Sequence, residues 1–172
     1  WMSLFHAVSA FCNAGFDLMG ILQPNASLVF FSADPLVAFP VMILIVMGGL
    51  GFFVWDDVRQ HRHHWSKYRL QTKLVMASTI LLILVSFPLI QFLETGQAAY
   101  ENKPVGTQLL ISLFQAITPR TAGFNTIPLT MLTDSTLLVM CLLMLVGGAP
   151  GSTAGGIKVT TFAILMMSIR TI

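Results

Sequence analysis

The sequence predicts an all-α integral membrane fold built of helix–pore loop–helix repeats. Three observations carry that prediction. Charge is scarce, uncharged apolar runs are long enough to cross a bilayer, and one segment of the chain recurs 109 residues further on.

Of the 172 residues, Lys and Arg supply 9 and Asp and Glu 7, so 9% are charged, against about 25% in a soluble domain. Hydrophobic residues reach 55% and the mean hydropathy is +0.80. So little charge cannot cover a water-soluble surface. The two cysteines, Cys12 and Cys141, exclude a disulfide scaffold, and the wealth of Phe, Leu, Ile and Val excludes disorder. A formal charge of +2 gives no footprint for nucleic acid. The chain opens Trp1-Met2-Ser3 without a signal-peptide pattern and closes in an apolar run, so it is expected to be an internal fragment of a longer protein.

Three apolar stretches are the expected spans. Residues 35–55 form a 21-residue run without charge, about 31 Å long as a helix. Residues 74–93 form a second, of 20, in which Pro88 is expected to kink the helix. The third, 135–169, is interrupted: 135–146 is apolar, 147–161 reads GGAPGSTAGGIKVTT, and the apolar pattern resumes at 162. Arg59, Arg62, Lys67, Arg69 and Lys73 crowd between the first two runs, whereas 94–106 holds only Lys103. The positive-inside rule puts 56–73 in the cytoplasm and 94–106 outside, with the third span ending inside near Arg170. The expected organisation is a pore loop and second transmembrane helix (1–55), a cytoplasmic linker (56–73), and a complete repeat with a broken final helix (74–172).

The duplicated segment is the most informative. Residues 3–17 read SLFHAVSAFCNAGFD and residues 112–125 read SLFQAITPRTAGFN, with one residue inserted in the first copy. Each is a short apolar stretch on the predicted outer side, too short to span, ending in Ala-Gly-Phe. A helix that enters the membrane, stops and returns as irregular chain is tolerated only where protein buries it or it lines a watery path. A dehydrated monovalent cation needs oxygens in place of its water shell, and main-chain carbonyls supply them without a trapping charge. Aiming successive carbonyls at one axis needs backbone angles that glycine adopts cheaply. Gly15 and Gly123 are therefore the candidate filter glycines, with Asn13, Ala14, Thr121 and Ala122 offering the carbonyls before them. The preceding helices would point their carbonyl ends, which carry partial negative charge, at the cation. The bland alternative is a pair of ordinary helix-connecting loops.

Gly147, Gly148, Gly151, Gly155 and Gly156 fall within ten residues, with Pro150 among them, and such a stretch cannot stay helical. It starts near the middle of the predicted bilayer. There it can serve as a displaceable gate beneath the filter, with Ser152, Thr153 and backbone groups meeting water or an ion, or it is a kink that lets helices pack closely. The second reading is the one expected of Gly48, Gly49 and Gly51. A phosphate-binding loop is excluded, since Gly156 is followed by Ile157 before Lys158 and the spacing fails. Lys158 is expected near the inner mouth or paired locally.

Other residues give weaker signals. His61, His63 and His64, with Asp56 and Asp57, lack a convincing metal-ligand spacing and read as a solvated loop. Arg120 is expected to anchor its loop by hydrogen bonds to carbonyls or a carboxylate. Asp17 and Asn125 flank the two loops on the outer side, and His6 is expected to be packed. No nucleophile–base set points to an enzyme, and Cys12 has no evident activating partner.

The motifs CNAGFD, TPRTAGFN and GGAPGSTAGGIKVTTF resemble those of the Trk/Ktr/HKT superfamily of potassium transporters. SAFCNAGFDL, GGLGFFVWDD and AGGIKVTTF look most like the bacterial Ktr-type membrane subunit. The resemblance implies a potassium-channel-like pore of four helix–pore loop–helix repeats, with one filter glycine in each. It implies that 147–161 is an intramembrane gating loop, and that K+ is taken up through the cytoplasmic membrane, with Na+ as a coupling ion in some members. It also implies a homodimer bearing a cytoplasmic ring of nucleotide-binding regulatory subunits. The alternative left by the residues alone is a secondary transporter of another solute built on broken helices.

Overall fold

The computed structural model describes residues 1–24, 26–62 and 64–171. Helices account for its regular structure: α1 (Met2–Phe11), α2 (Pro35–Leu50), α3 (Phe52–His61), α4 (Leu70–Glu94), α5 (Val105–Ile117), α6 (Asp134–Leu145) and α7 (Val159–Thr171). Short 3-10 turns at Met19–Ile21, Val29–Phe31, Trp65–Lys67 and Leu129–Met131 punctuate the connections. His63, one of the three histidines considered as metal ligands, and the Arg170 side chain lie outside the described residues.

Local chemistry sets the helix starts. Asp34 caps α2 by accepting from the Leu36 amide at 2.9 Å, with Pro35 at the first helical position. Thr133 caps α6 by accepting from the Thr136 amide at 3.3 Å. Glu94, at the end of α4, accepts at 2.9 Å from both the amide and the hydroxyl of Thr133. That carboxylate ties the end of α4 to the start of α6.

Among the described residues, α4 is the one helix long and apolar enough by itself to cross a membrane. It is built inside out. Thr72, Thr79, Ser86 and Glu94, spaced about two turns apart, are buried, while Leu81, Leu84, Leu89 and Phe92 are exposed. An outward apolar face with polar groups turned inward suits a lipid environment. The helix runs uninterrupted through Pro88.

The first expected span, 35–55, is not one helix. The chain breaks at Gly51, where φ is +79°, and α3 leaves α2 at a bend of 92°. The left-handed backbone at Gly51 ends α2, and beyond it the sequence turns amphipathic and charged. The expected linker 56–73 accordingly contains the second half of α3, the turn at Trp65–Lys67 and the start of α4. In the third stretch the helix resumes at Val159, two residues before the expected end of the glycine-rich segment.

α1 packs on α2, and α5 packs on both α2 and α4. Ala10, Val41, Met42, Ile45, Phe114, Ile117, Ala122 and Phe124 form the apolar core between α1, α2 and α5. A smaller cluster of Val54, Val75 and Ala149 sits at the α2–α3 bend. It fastens the glycine-rich segment to α3 and α4.

Candidate functional site

Each short helix delivers the chain to a tight loop of unusual backbone. In the first, Asn13 has φ +48° and Gly15 +72°; in the second, Thr121 has +65° and Gly123 +82°. Ala14 and Ala122, between them, are not among the positive-φ residues. The two copies thus share a pattern in which a residue without positive φ sits between two with positive φ, and an L residue other than glycine adopts positive φ only at a cost. Such alternation lets successive carbonyls turn to one side, the arrangement a carbonyl-lined ion path uses.

The two loops meet at their glycines. A methyl group built on Gly15 would lie 2.5 Å from the Ala122 carbonyl oxygen and 3.0 Å from Gly123 Cα. One built on Gly123 would lie 3.2 Å from Gly15 Cα. Gly15 is thereby brought against Ala122 and Gly123, and with them the two turns Asn13-Ala14-Gly15 and Thr121-Ala122-Gly123 meet at their tips.

The glycine-rich segment between α6 and α7 is an ordered loop with a closed neck. Val146 and Ile157 form a parallel bridge, Gly147 N–H donates to Ile157 O at 3.0 Å, and Ile157 N–H donates to Leu145 O at 3.1 Å. Gly147 faces the Gly155 carbonyl so closely that a side chain would collide with it. The loop docks on α2 through Ala149 N–H to Gly49 O at 3.0 Å and Thr153 N–H to Gly48 O at 3.4 Å. Phe52 N–H in turn donates to Gly151 O at 3.1 Å. Gly48 serves close helix packing as expected, since a side chain there would collide with Phe11 O at the end of α1, while Gly51 is packed on by Pro150 and Gly151 of this loop.

The loop also reaches both tight turns. The Asn13 side-chain amide meets the Thr153 hydroxyl at 3.0 Å. With its oxygen toward that hydroxyl, the amide also accepts from Gly49 N–H and donates to Ile45 O, both at 3.3 Å. Gly155 N–H donates to the Thr121 hydroxyl at 2.9 Å, and the Thr153 hydroxyl lies 3.0 Å from Phe11 O at the end of α1. Of the groups expected to meet water or an ion, Ser152 turns back on Ala149 O at 2.6 Å and Thr153 is engaged as above. Lys158 pairs locally, donating to Ala154 O at 2.7 Å.

The flanking residues divide. His6 is packed, with Nδ1 2.8 Å from Met2 O and Nε2 accepting from Leu18 N–H at 3.3 Å. Asp17 accepts locally from Met19 N–H at 2.9 Å. Asn125 joins the two copies: its amide donates to the Ser27 hydroxyl at 3.1 Å and its carbonyl accepts from Leu28 N–H at 2.9 Å. Arg120 departs from expectation. It is buried, and none of its guanidinium nitrogens has a hydrogen-bond partner among the described residues. Sequence reasoning also missed Asp57. Its buried carboxylate accepts from Arg69 N–H at 2.8 Å and lies 2.9 Å from His61 Nδ1. The Thr72 hydroxyl, then the Arg69 amide and His61, hold this carboxyl below the usual range against the opposing effect of burial. Among the described residues no cluster of His, Cys, Asp or Glu could hold a metal.

A family profile described as "TrkH: Cation transport protein" matches residues 1–171. The chain is 42% identical over 171 residues to the Ktr system potassium uptake protein B of Vibrio alginolyticus, covering 98% of this chain and 36% of that protein. It is 38% identical over 170 residues to the potassium/sodium uptake protein NtpJ of Enterococcus hirae, covering 99% and 36%. It therefore spans about a third of the length of these relatives. The crystal structure of the potassium transporter TrkH from Vibrio parahaemolyticus matches with a TM-score of 0.75 at 18% identity, over 95% of this chain and 33% of that one. The fold is thus the helical membrane fold with pore-loop helices that the sequence predicts.

Proposed function

Since the chain belongs to the TrkH family of cation transport proteins, we propose that it forms two walls of a potassium-conducting pore in a multi-pass protein of the cytoplasmic membrane. One observation carries the reading: two copies of the same left-handed, glycine-tipped loop abut at Gly15 and Gly123. In this reading K+ sheds its water and is held by carbonyls of residues 13–15 and 121–123, with further walls from the rest of the full-length protein. α1 and α5 aim their carbonyl ends at the ion. Neutral oxygens bind K+ well enough to admit it and weakly enough to release it. Relatives named for potassium uptake support the choice of ion, and the potassium/sodium name of one supports Na+ as coupling ion.

The loop spanning residues 147–158 is the gate in this reading. It is tied to both filter turns at Asn13 and Thr121 and to α2 at Gly48 and Gly49, so it moves only by breaking a small set of hydrogen bonds. The homodimer and the cytoplasmic ring of nucleotide-binding subunits belong to the same reading. Residues 56–73 face the cytoplasm in it, and the three-part division at 55 and 73 stands with them. The test is uptake: the full-length gene should restore growth of a potassium-uptake-deficient host on low K+, and failure to do so while the protein is present in the membrane would overturn the proposal.

A further inference from the structure

We infer that Ser9 and Thr118 are positioning residues that clasp the two filter turns and fix their outer ends. The inference rests on the reading of those turns as a filter. Ser9 and Thr118 occupy equivalent places in the duplicated segment, and each bonds its turn twice. Their main-chain carbonyls accept from Ala14 N–H at 2.9 Å and Ala122 N–H at 3.0 Å. Their hydroxyls donate to Phe16 O at 2.8 Å and Phe124 O at 2.6 Å. Each residue therefore grips its turn just before and just after the glycine.

Two features separate this clasp from an accident of helix ends. A hydroxyl within a helix ordinarily bonds back to the carbonyl four residues earlier. Ser86 does so to Leu82 O at 2.7 Å, and Thr95, which like Thr118 directly follows a helix, to Gln91 O at 2.6 Å. Ser9 and Thr118 donate forward instead, across seven and six residues. The connecting chains also differ. α1 runs on past Ser9 to Phe11, whereas α5 ends at Ile117, just before Thr118. Ala10-Phe11-Cys12 in one copy corresponds to Pro119-Arg120 in the other. The insertion changes the path, yet the same two bonds close. Both residues are buried, and in the second copy the accepting Phe124 is buried with Thr118, whereas Phe16 in the first is exposed.

The consequence concerns selectivity. The hydroxyl holds the Phe16 or Phe124 carbonyl back toward its helix, which fixes the peptide one residue beyond the glycine and so limits the carbonyls that face the ion. Discrimination between K+ and Na+ depends on how many carbonyl dipoles coordinate the ion and how firmly they are held. Releasing that peptide should loosen selectivity before it abolishes transport.

The test uses the full-length protein in a potassium-starved host, reading the K+ over Na+ preference of uptake together with the amount of protein in the membrane. Thr118→Val keeps the shape and removes the hydroxyl; Ser9→Ala does the same in the other copy. Each is expected to lower the preference by about fivefold, the scale of one lost hydrogen bond. Thr118→Ser and Ser9→Thr, which keep the hydroxyl, are expected to recover it. Gly123→Ser serves as the reference for the filter itself. Unchanged preference in T118V and S9A, with a lowered one in G123S, overturns the clasp and leaves the filter standing. Unchanged preference in G123S overturns the filter reading. If T118V and S9A fail to reach the membrane while the hydroxyl-keeping variants do, the clasp serves folding and the positioning role is wrong.

Discussion

Asn13 and Thr121 hold the same place in the two glycine-tipped turns and share two properties. Both are left-handed, at φ +48° and +65°. Both give their side chains to the glycine-rich loop, Asn13 to Thr153 at 3.0 Å and Thr121 to Gly155 N–H at 2.9 Å. A displacement of that loop is therefore felt at both turns at once.

Thr121→Val keeps the branched shape and removes the acceptor for Gly155. On the gating account, basal K+ flux without activation rises by about fivefold, as expected for one hydrogen bond. Tracer efflux from loaded vesicles measures it. An unchanged basal flux would separate the loop from the turn.

Deleting residues 149–155 removes the bonds that Ala149 and Thr153 make with α2, the one that Gly151 makes with Phe52 of α3, and the Gly155 bond with them. Basal flux should rise at least as far as in T121V. Because the two changes act on one contact, adding T121V to the deletion should have little further effect. Full additivity would mean that Thr121 acts through something other than the loop.

Much of this arrangement is legible in the sequence because it is duplicated. The alignment of 3–17 with 112–125 shows that each copy ends a short helix and brings Gly15 and Gly123 out as counterparts, though α5 begins at Val105, ahead of the aligned segment. The shared hydroxyl at Ser9 and Thr118 is visible in the same alignment, but its forward bond depends on how the insertion is absorbed, which is a property of three-dimensional closure. The break at Gly51 was hidden by composition. Residues 35–55 have the length and apolarity of a span, and hydropathy does not register a left-handed residue. The charged, amphipathic turn of sequence after Gly51 was the available signal. Asp57 was hidden for another reason: its partners are Arg69, just before the next helix, and Thr72 in its first turn, and no local pattern announces them.

Gly15→Ala puts a methyl group where φ is +72° and where the Ala122 carbonyl lies 2.5 Å away. The left-handed backbone alone costs roughly 1–2 kcal/mol, so uptake at limiting K+ should fall by about tenfold. Gly20→Ala is the matched control, since nothing lies within 4 Å of its added methyl, and it should transport normally. Equal uptake by the two variants would remove the turn at Gly15 from the ion path.

Asp57 gives a prediction in pH, in a segment read as cytoplasmic. Its carboxyl titrates below the usual value of 3.8 in the folded protein, chiefly because the Thr72 hydroxyl bonds the charged form. The stabilisation is therefore present above that value and lost as pH falls through the lowered folded one. The thermal midpoint of Asp57→Asn in detergent should lie below that of the parent from about pH 5 upward. The gap should narrow only under strongly acidic conditions. A gap that instead opened or closed near neutral pH would contradict the assignment to the Asp57 carboxyl.

The central claim is that the two glycine-tipped turns line one cation path, and anomalous scattering from Tl+ or Rb+ bound to the full-length protein tests it most directly. The account predicts density on a common axis, coordinated by main-chain oxygens of residues 13–15 and 121–123 at once. Density coordinated elsewhere, with Gly15 and Gly123 turned toward lipid, would contradict it.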